Sequence, residues 1–162
     1  MVWKSNGRLT SGKSTALKPK VFLDTSALLS GLASPSGASN MILALAEAQL
    51  ITLVVSEQVL VEAERNLQEK LPRAISEYRR FLTTCPLEKA STPSAADVAM
   101  AREIIHAKDA PILRAAMNAQ VDYLVTLNRK HFLDDPEVAR TSGLRIGAPG
   151  DFLAWLRERL ES

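Results

Sequence analysis

Three short, mostly apolar runs, each followed by polar residues, constrain the fold of this chain most strongly. The runs are KVFL at 20–23, LITLVV at 50–55 and DYLVTL at 122–127. Strands buried on both faces of a parallel sheet have this largely apolar character, whereas strands with one face in water alternate apolar and polar residues. The intervening segments place apolar residues at the three-to-four-residue spacing of helices. The pattern therefore predicts that strands and helices alternate along the chain.

The remaining elements follow from weaker signals. Further short strands are expected at 85–87 and 144–146. Helices are expected over 24–32, 38–49, 56–70 and 72–81, from Ser94 or Asp97 through Ile105, from Asp109, and from Pro149 onward. Alternating strands and helices favour an α/β fold, a three-layer α/β/α sandwich around a mostly parallel central sheet. Neither a repeat nor a linker interrupts 20–162, so one domain is expected there.

Residues 1–19 are expected to form a disordered extension, because they are rich in Gly, Ser, Thr and Lys. The stretch 7–14 matches the phosphate-loop pattern, with Gly7 followed after four residues by Gly-Lys-Ser. That chemistry requires a buried strand before the glycine and a helix after the lysine. Only Val2 and Trp3 precede as apolar residues, and Pro19 stops any helix. We therefore expect no nucleotide at this motif.

The net charge of +2 conceals an asymmetry along the chain. The first 20 residues hold five Lys or Arg and no acid, which leaves 15 basic and 18 acidic residues, or −3, for the body. A mildly acidic body argues against a broad basic face for nucleic acid but is compatible with a local cation site. Two Trp, two Tyr and four Phe are too few aromatics for a base-stacking platform.

A single cysteine, Cys85, excludes an internal disulfide and a cysteine-based zinc site. No apolar run approaches the ~18 to 20 residues of a membrane span, and no signal-peptide pattern is present. We therefore expect a cytoplasmic protein that does not interact with membranes.

Polar residues follow two of the apolar runs directly: Asp24 comes after VFL, and Asn128 comes after DYLVTL. Two further carboxylates, Glu62 and Asp109, line or open predicted helices. In an open parallel sheet, ligands bind beyond the carboxyl ends of the strands. Three acids and one amide at that edge would form a crevice of oxygen ligands, which Mg²⁺ and Mn²⁺ prefer.

Three segments together resemble a known family. The first is VFLDTSALLS at 21–30, the second is SEQVLVEAERN at 56–66, and the third is KDAPILRAAMNAQVDYLVTLNRKHF at 108–132. In this order and position they resemble the blocks of the PIN domain, the nuclease fold of VapC toxins. The resemblance spans nearly all of 20–155.

The resemblance implies a metal-dependent endoribonuclease with Asp24, Glu62 and Asp109 as ligands of Mg²⁺ or Mn²⁺. Asn128 stands at the fourth catalytic position, where many relatives carry Asp, so the site has one charge fewer than theirs. The resemblance also implies a homodimer, an RNA substrate and, for the toxin of a toxin–antitoxin pair, an antitoxin partner. An RNA-processing nuclease without antitoxin, or a silent domain that binds RNA or a partner, are the alternatives.

Each acidic candidate also has a structural interpretation. Asp24 and Asp109 precede predicted helices and can serve as N-caps. Glu62 has a rival in Glu64, two residues further along the same helix.

Four nearby polar residues carry weaker signals. His131 is either a structural histidine or a base. Arg129 and Lys130 either contact phosphates or form a solvated loop. Asp122 is expected at the strand entrance, away from the crevice.

Overall fold

The computed structural model describes residues 18–162 and contains one five-stranded sheet. The strands are β1 (Lys20–Leu23), β2 (Thr52–Ser56), β3 (Leu87–Ala90), β4 (Tyr123–Val125) and β5 (Ile146–Gly147). Their order across the sheet is β3-β2-β1-β4-β5, and every neighbouring pair is parallel. The predicted α/β class is confirmed, with a sheet that is parallel throughout.

Eight α-helices accompany the sheet within the described range. They are α1 (Thr25–Ala33), α2 (Ala38–Glu47), α3 (Glu57–Lys70), α4 (Ile75–Thr84), α5 (Ala95–Ala101), α6 (Ala110–Asn118), α7 (Pro136–Ser142) and α8 (Pro149–Glu161). A 3₁₀ turn over Pro72–Ala74 precedes α4, and a π-helical turn over Arg129–Leu133 follows β4.

The central strand β1 has helices on both of its faces, which is why its sequence is continuously apolar. Val21, Phe22 and Leu23 are each at most 1% exposed. Val21 is in register with Leu53 of β2 on one side and with Tyr123 of β4 on the other. The strand pairs on both sides, so its backbone hydrogen-bonding groups are satisfied within the sheet.

The helices form two layers. Helices α1 and α2 connect β1 with β2 and pack on each other, and α8 packs on α2 as well as on β4 and β5. Helix α6 packs on β2 and β3 and carries α5. The chain crosses the sheet in the reverse direction between β3 and β4, so the right-handed crossover rule places α6 on the opposite face from α1 and α2.

Two predicted strands begin later than expected. The run at 50–55 forms a strand only from Thr52, because Gln49 adopts a positive φ of 62° as the chain leaves α2, and Leu50 is exposed. The strand predicted at 85–87 begins at Leu87, because Cys85 still belongs to the end of α4 and donates its N–H to Phe81 O at 2.9 Å.

Three other boundaries also differ. The helix predicted through Ile105 ends at Ala101, and turns follow it. The strand predicted at 122–127 is confined to Tyr123–Val125, and the strand predicted at 144–146 lies at Ile146–Gly147. In the first two cases the central part of the prediction was correct and the terminal residues were wrong. In the third, only Ile146 belongs to both the predicted and the observed strand.

Within residues 18–162 no single helix is long and apolar enough to cross a bilayer; α1 and α2 meet that length and composition only together, across a 90° bend. The predicted extension over 1–19, apart from Lys18 and Pro19, lies outside the described residues, as does the motif at 7–14. Those expectations stay predictions.

Candidate active site

The sheet has a topological switch point between β1 and β4. From β1 the chain moves outward through β2 to β3, then returns to the other side of β1 as β4. Connections that leave two neighbouring strands in opposite directions open a crevice at the carboxyl ends of those strands. Asp24 directly follows β1, and its backbone N–H donates to Val125 O at 3.1 Å. The segment after β4 therefore lies beside Asp24.

Asp24 is 5% exposed, and its carboxylate is held by three hydrogen bonds. Its Oδ1 accepts from the Ala27 N–H at 3.2 Å, which makes it the N-cap of α1, and from the Ser26 hydroxyl at 2.7 Å. Its Oδ2 accepts from the Thr126 hydroxyl at 2.5 Å. The predicted cap is confirmed, and the same carboxylate also lines the crevice.

The pKa of Asp24 is raised above the ordinary aspartate value. Burial is the largest cause, because removal from water disfavours the carboxylate form. Hydrogen bonds from Thr126, Ser26 and Ala27 act in the opposite direction, and the charge of Asp109 raises the pKa further. The two carboxylates therefore lie close enough to repel each other.

Glu62 extends from α3 toward the start of α1. Its Oε1 accepts from the Thr25 hydroxyl at 2.9 Å, and its Oε2 accepts from Gln58 Nε2 at 3.1 Å. Val59 and Ala63 are buried on the inner face of α3, and this places Glu62 at the boundary of the core, half-buried. Glu64 is exposed to solvent and does not line the crevice.

Asp109 immediately precedes α6, but it does not cap that helix. Its backbone has φ −98° and ψ −7°, not the extended geometry that directs a cap side chain toward the first helical N–H groups. Its Oδ2 instead contacts His131 Nδ1. Asp109 is 7% exposed and lines the crevice. The cap interpretation of Asp109 is wrong.

Asn128 starts the π-helical turn after β4. Its Oδ1 accepts from the His131 N–H at 3.1 Å, and its own N–H donates to Thr126 Oγ1 at 2.9 Å. The side chain therefore caps this turn while it lines the crevice.

The structure brings all four predicted site residues to one cleft of about 290 Å³. Asp24, Glu62, Asp109 and Asn128 all line it, although they come from four different parts of the chain. Three carboxylates and one amide thus face a common space.

Several supporting residues were not predicted. Thr25, Ser26, Gln58 and Thr126 orient the carboxylates, and Lys108 lines the cleft. A hydroxyl residue two positions before Asn128, at the end of a buried strand, is a signal that could have identified Thr126. His106, whose ring stacks on that of His131, carries no comparable signal, since the two residues are 25 positions apart along the chain.

The nearby polar residues have separate positions. Arg129 pairs with Asp134 at 3.2 Å, and Lys130 is exposed. Asp122 accepts from the Lys20 N–H at 2.8 Å, at the amino ends of β4 and β1, away from the cleft as expected. His131 contacts Asp109.

Comparison with known proteins gives one family and several similar folds. A model of the PIN domain family matches residues 20–130, which include Asp24, Glu62, Asp109 and Asn128. No curated protein matches the chain.

Three solved structures are similar. The structure of VapBC2 from Rickettsia felis bound to a DNA fragment from their promoter has a TM-score of 0.58 and 20% identity, covering 78% of this chain and 96% of that one. PAE2754 from Pyrobaculum aerophilum has a TM-score of 0.56, 16% identity, and coverage of 89% and 97%. FitAcB from Neisseria gonorrhoeae has a TM-score of 0.55, 18% identity, and coverage of 80% and 97%.

These structural similarities, at 20% identity or less, concern the fold alone. The family model is a match in sequence, and it extends over more than half of the 162 residues. On that match, this chain belongs to the PIN domain family.

Proposed function

We propose that this chain is an endoribonuclease that requires Mg²⁺ or Mn²⁺ and acts as the toxin of a toxin–antitoxin pair. The observation that carries the proposal is the convergence of Asp24, Glu62, Asp109 and Asn128 on one cleft at the switch point of the sheet. A family member with this arrangement has the residue types that metal-assisted phosphodiester hydrolysis requires.

The cleft residues fit a hard divalent cation. Every candidate ligand offers oxygen, which Mg²⁺ and Mn²⁺ prefer over nitrogen and sulfur. Asp24 is buried beside Asp109, and both burial and that neighbouring charge raise its pKa. A cation in the cleft offsets this repulsion, so the site favours occupancy over the empty state.

Asp24, Glu62 and Asp109 would hold the ion, and the neutral Asn128 would contribute an amide oxygen. When bound, the ion supplies Lewis-acid stabilisation of the charge that develops on the scissile phosphate. Thr126 and Ser26 fix the orientation of Asp24 by donating to its two oxygens. These hydroxyls keep the carboxylate in place before any ion or substrate arrives.

The substrate proposal has two supports: positive charge at the rim of the cleft and the family resemblance. Lys108 lines the cleft and is exposed, and Lys130 is exposed in the turn after Asn128. Ammonium groups at these positions attract phosphates without selecting a base. The two lysines therefore support a nucleic-acid backbone without base specificity, and the resemblance to VapC toxins supports single-stranded or structured RNA as the substrate.

The antitoxin and a homodimer belong to the same proposal. Their support is the resemblance of the three segments to VapC toxins, together with the fold shared with VapBC2. Overlap with, or adjacency to, a small antitoxin gene would support the toxin role. A solitary gene would favour the RNA-processing alternative.

The activity is tested by incubating the full chain with single-stranded RNA and Mg²⁺ or Mn²⁺, with and without chelator. We expect cleavage that the chelator abolishes and that Asp24→Asn eliminates. Asp135→Asn is the matched control, since Asp135 is also a helix N-cap but lies outside the cleft. Asn caps as well as Asp, so both variants should fold. Folded wild-type protein without cleavage would favour the silent alternative.

A further inference from the structure

The two histidines of the chain meet beside Asp109. His106 lies in the loop before α6, and His131 lies in the π-helical turn after β4. Their rings stack with centroids 4.5 Å apart and only 4° between the ring planes. Since the whole sequence contains two histidines, the fold brings every imidazole it has to one point.

One ligand atom from each of His106, Asp109 and His131 lies within 4.8 Å of the other two. Asp109 is buried, His131 is half-buried and His106 is exposed. The cluster is therefore supported by protein on one side and open to water on the other. Three protein ligands with an open position are the arrangement that zinc adopts at non-structural sites.

We propose that His106, Asp109 and His131 form a binding site for a transition-metal ion of intermediate softness, such as Zn²⁺. Imidazole nitrogen selects Zn²⁺, Co²⁺ or Ni²⁺, whereas an all-oxygen cleft suits Mg²⁺ and Mn²⁺. The two sites share the carboxylate of Asp109 but differ in their other ligands. The histidine site depends on its own geometry and does not require the cleavage activity proposed above.

The neighbouring contacts hold the ligands in place. The His131 N–H donates to Asn128 Oδ1 at 3.1 Å, and the adjacent Phe132 is 2% exposed, which anchors the turn. The loop that carries His106 is closed by its own carbonyl, which accepts from the N–H groups of Asp109 at 2.9 Å and Ala110 at 3.1 Å. The backbone that carries the two histidines is therefore already ordered before a metal binds.

Metal binding replaces two existing contacts. The ion would separate His131 Nδ1 from Asp109 Oδ2, which contact each other directly without it. His106 Nδ1 accepts from the Lys108 N–H at 3.1 Å, and this contact opens if that nitrogen turns to the metal. Lys108 is exposed, and water can accept its N–H when the ring turns to the metal.

The test uses Co²⁺ as a spectroscopic probe with the full chain, purified without a histidine tag. In excess Mg²⁺, which fills an acidic cleft, we expect one equivalent of Co²⁺ to bind with visible d–d absorption and to be displaced by Zn²⁺. His106→Gln should weaken Co²⁺ binding by about 100-fold or more, since losing even an outer-sphere partner costs 10- to 100-fold. Glu64→Gln is the control on an exposed carboxylate and should bind as wild type.

A second variant separates this proposal from the cleavage proposal. Glu62→Gln removes a cleft carboxylate that makes no contact with either histidine ring, so Co²⁺ affinity should stay at the wild-type value even where cleavage is lost. NMR gives an independent measurement, because two histidines give two sets of ring signals and one equivalent of Zn²⁺ should shift both. Equal Co²⁺ affinity in His106→Gln and wild type, or a shift of only one ring, would overturn the site.

Discussion

The Thr126 hydroxyl donates to Asp24 Oδ2 at 2.5 Å and joins the ends of β1 and β4 across 102 positions of sequence. Thr126 is fully buried, and its oxygen also accepts from the Asn128 N–H at 2.9 Å. One hydroxyl therefore fixes both an acidic and an amide residue of the cleft.

Thr126→Val should destabilise the protein. The substitution conserves shape but leaves Asp24 Oδ2 and the Asn128 N–H without this partner, at a cost of about 1.5–3 kcal/mol for a hydrogen bond to a charged group. Urea unfolding at neutral pH measures the difference. Thr84→Val is the control, because that hydroxyl donates to Glu47 at the exposed surface, and it should change stability by less than about 0.5 kcal/mol. Equal midpoints for the two variants would contradict the prediction.

Asp24→Asn should stabilise the metal-free protein increasingly as pH rises. Burial raises the pKa of Asp24, so the folded state binds its proton more tightly than the unfolded state. The contribution of Asp24 to the free energy of unfolding is thus fully present below about pH 4. It is lost as pH rises through the pKa that Asp24 has in the folded state. The measurement is the difference in melting temperature between Asp24→Asn and wild type, in chelator, across roughly pH 3–8, the span of carboxyl titration. A difference in melting temperature that narrows toward neutral pH would contradict the prediction.

Glu62→Gln should reduce metal-dependent cleavage on the order of 100-fold or more, because it removes a proposed ligand charge. Glu64→Gln, on the same helix but exposed, should retain the wild-type rate. Initial rates on one RNA at fixed Mn²⁺ compare the two. Equal losses in both variants would assign no special role to Glu62.

Asn128→Asp should strengthen metal binding by adding a carboxylate to the cleft. Asp caps the following turn as well as Asn does, so the fold should be retained. We expect about a tenfold lower Mn²⁺ concentration for half-maximal cleavage, which corresponds to about 1.4 kcal/mol. Gln68→Glu makes the same change of charge on the exposed surface of α3 and should leave the midpoint unchanged. An unchanged midpoint in folded Asn128→Asp would place position 128 outside the reach of the metal.

Cys85 should be unreactive in the folded protein. It is 5% exposed, and burial, followed by the charge of Glu47, raises its pKa to about 11. Thiolate is the reactive form, so alkylation at pH 8 should proceed only as the protein unfolds. Labelling rates with and without urea measure this. Rapid labelling of native protein would contradict the burial of Cys85.

The sequence was sufficient to predict the parts of the cleft that depend on local patterns. Asp24 follows a continuously apolar strand and precedes a helical pattern, and both signals lie within ten residues. Glu62 was chosen over Glu64 through the resemblance of 56–66 to a PIN-domain segment, and the buried spacing of Val59, Ala63 and Leu67 agrees with its position at the edge of the core.

The sequence was insufficient where geometry depends on distant partners. Asp109 precedes a helix, so the pattern predicted a cap, but its side chain contacts His131 across 22 positions. The stacking of His106 on His131 likewise depends on how the loop before α6 meets the turn after β4. The edge strand β3 was misplaced because its central residues, Glu88 and Lys89, are exposed and give no apolar signal.

The position of β1 between β2 and β4 determines when the cleft is complete during synthesis. A ribosome delivers the chain from its N-terminus, so Asp24 and Glu62 emerge well before Asp109 and Asn128. Asp24 can accept the hydrogen bond from Thr126 only after β4 has paired with β1. A nascent chain therefore carries half of the cleft and cannot perform the proposed cleavage. The four predicted site residues that line the cleft can meet only after residue 128 has emerged.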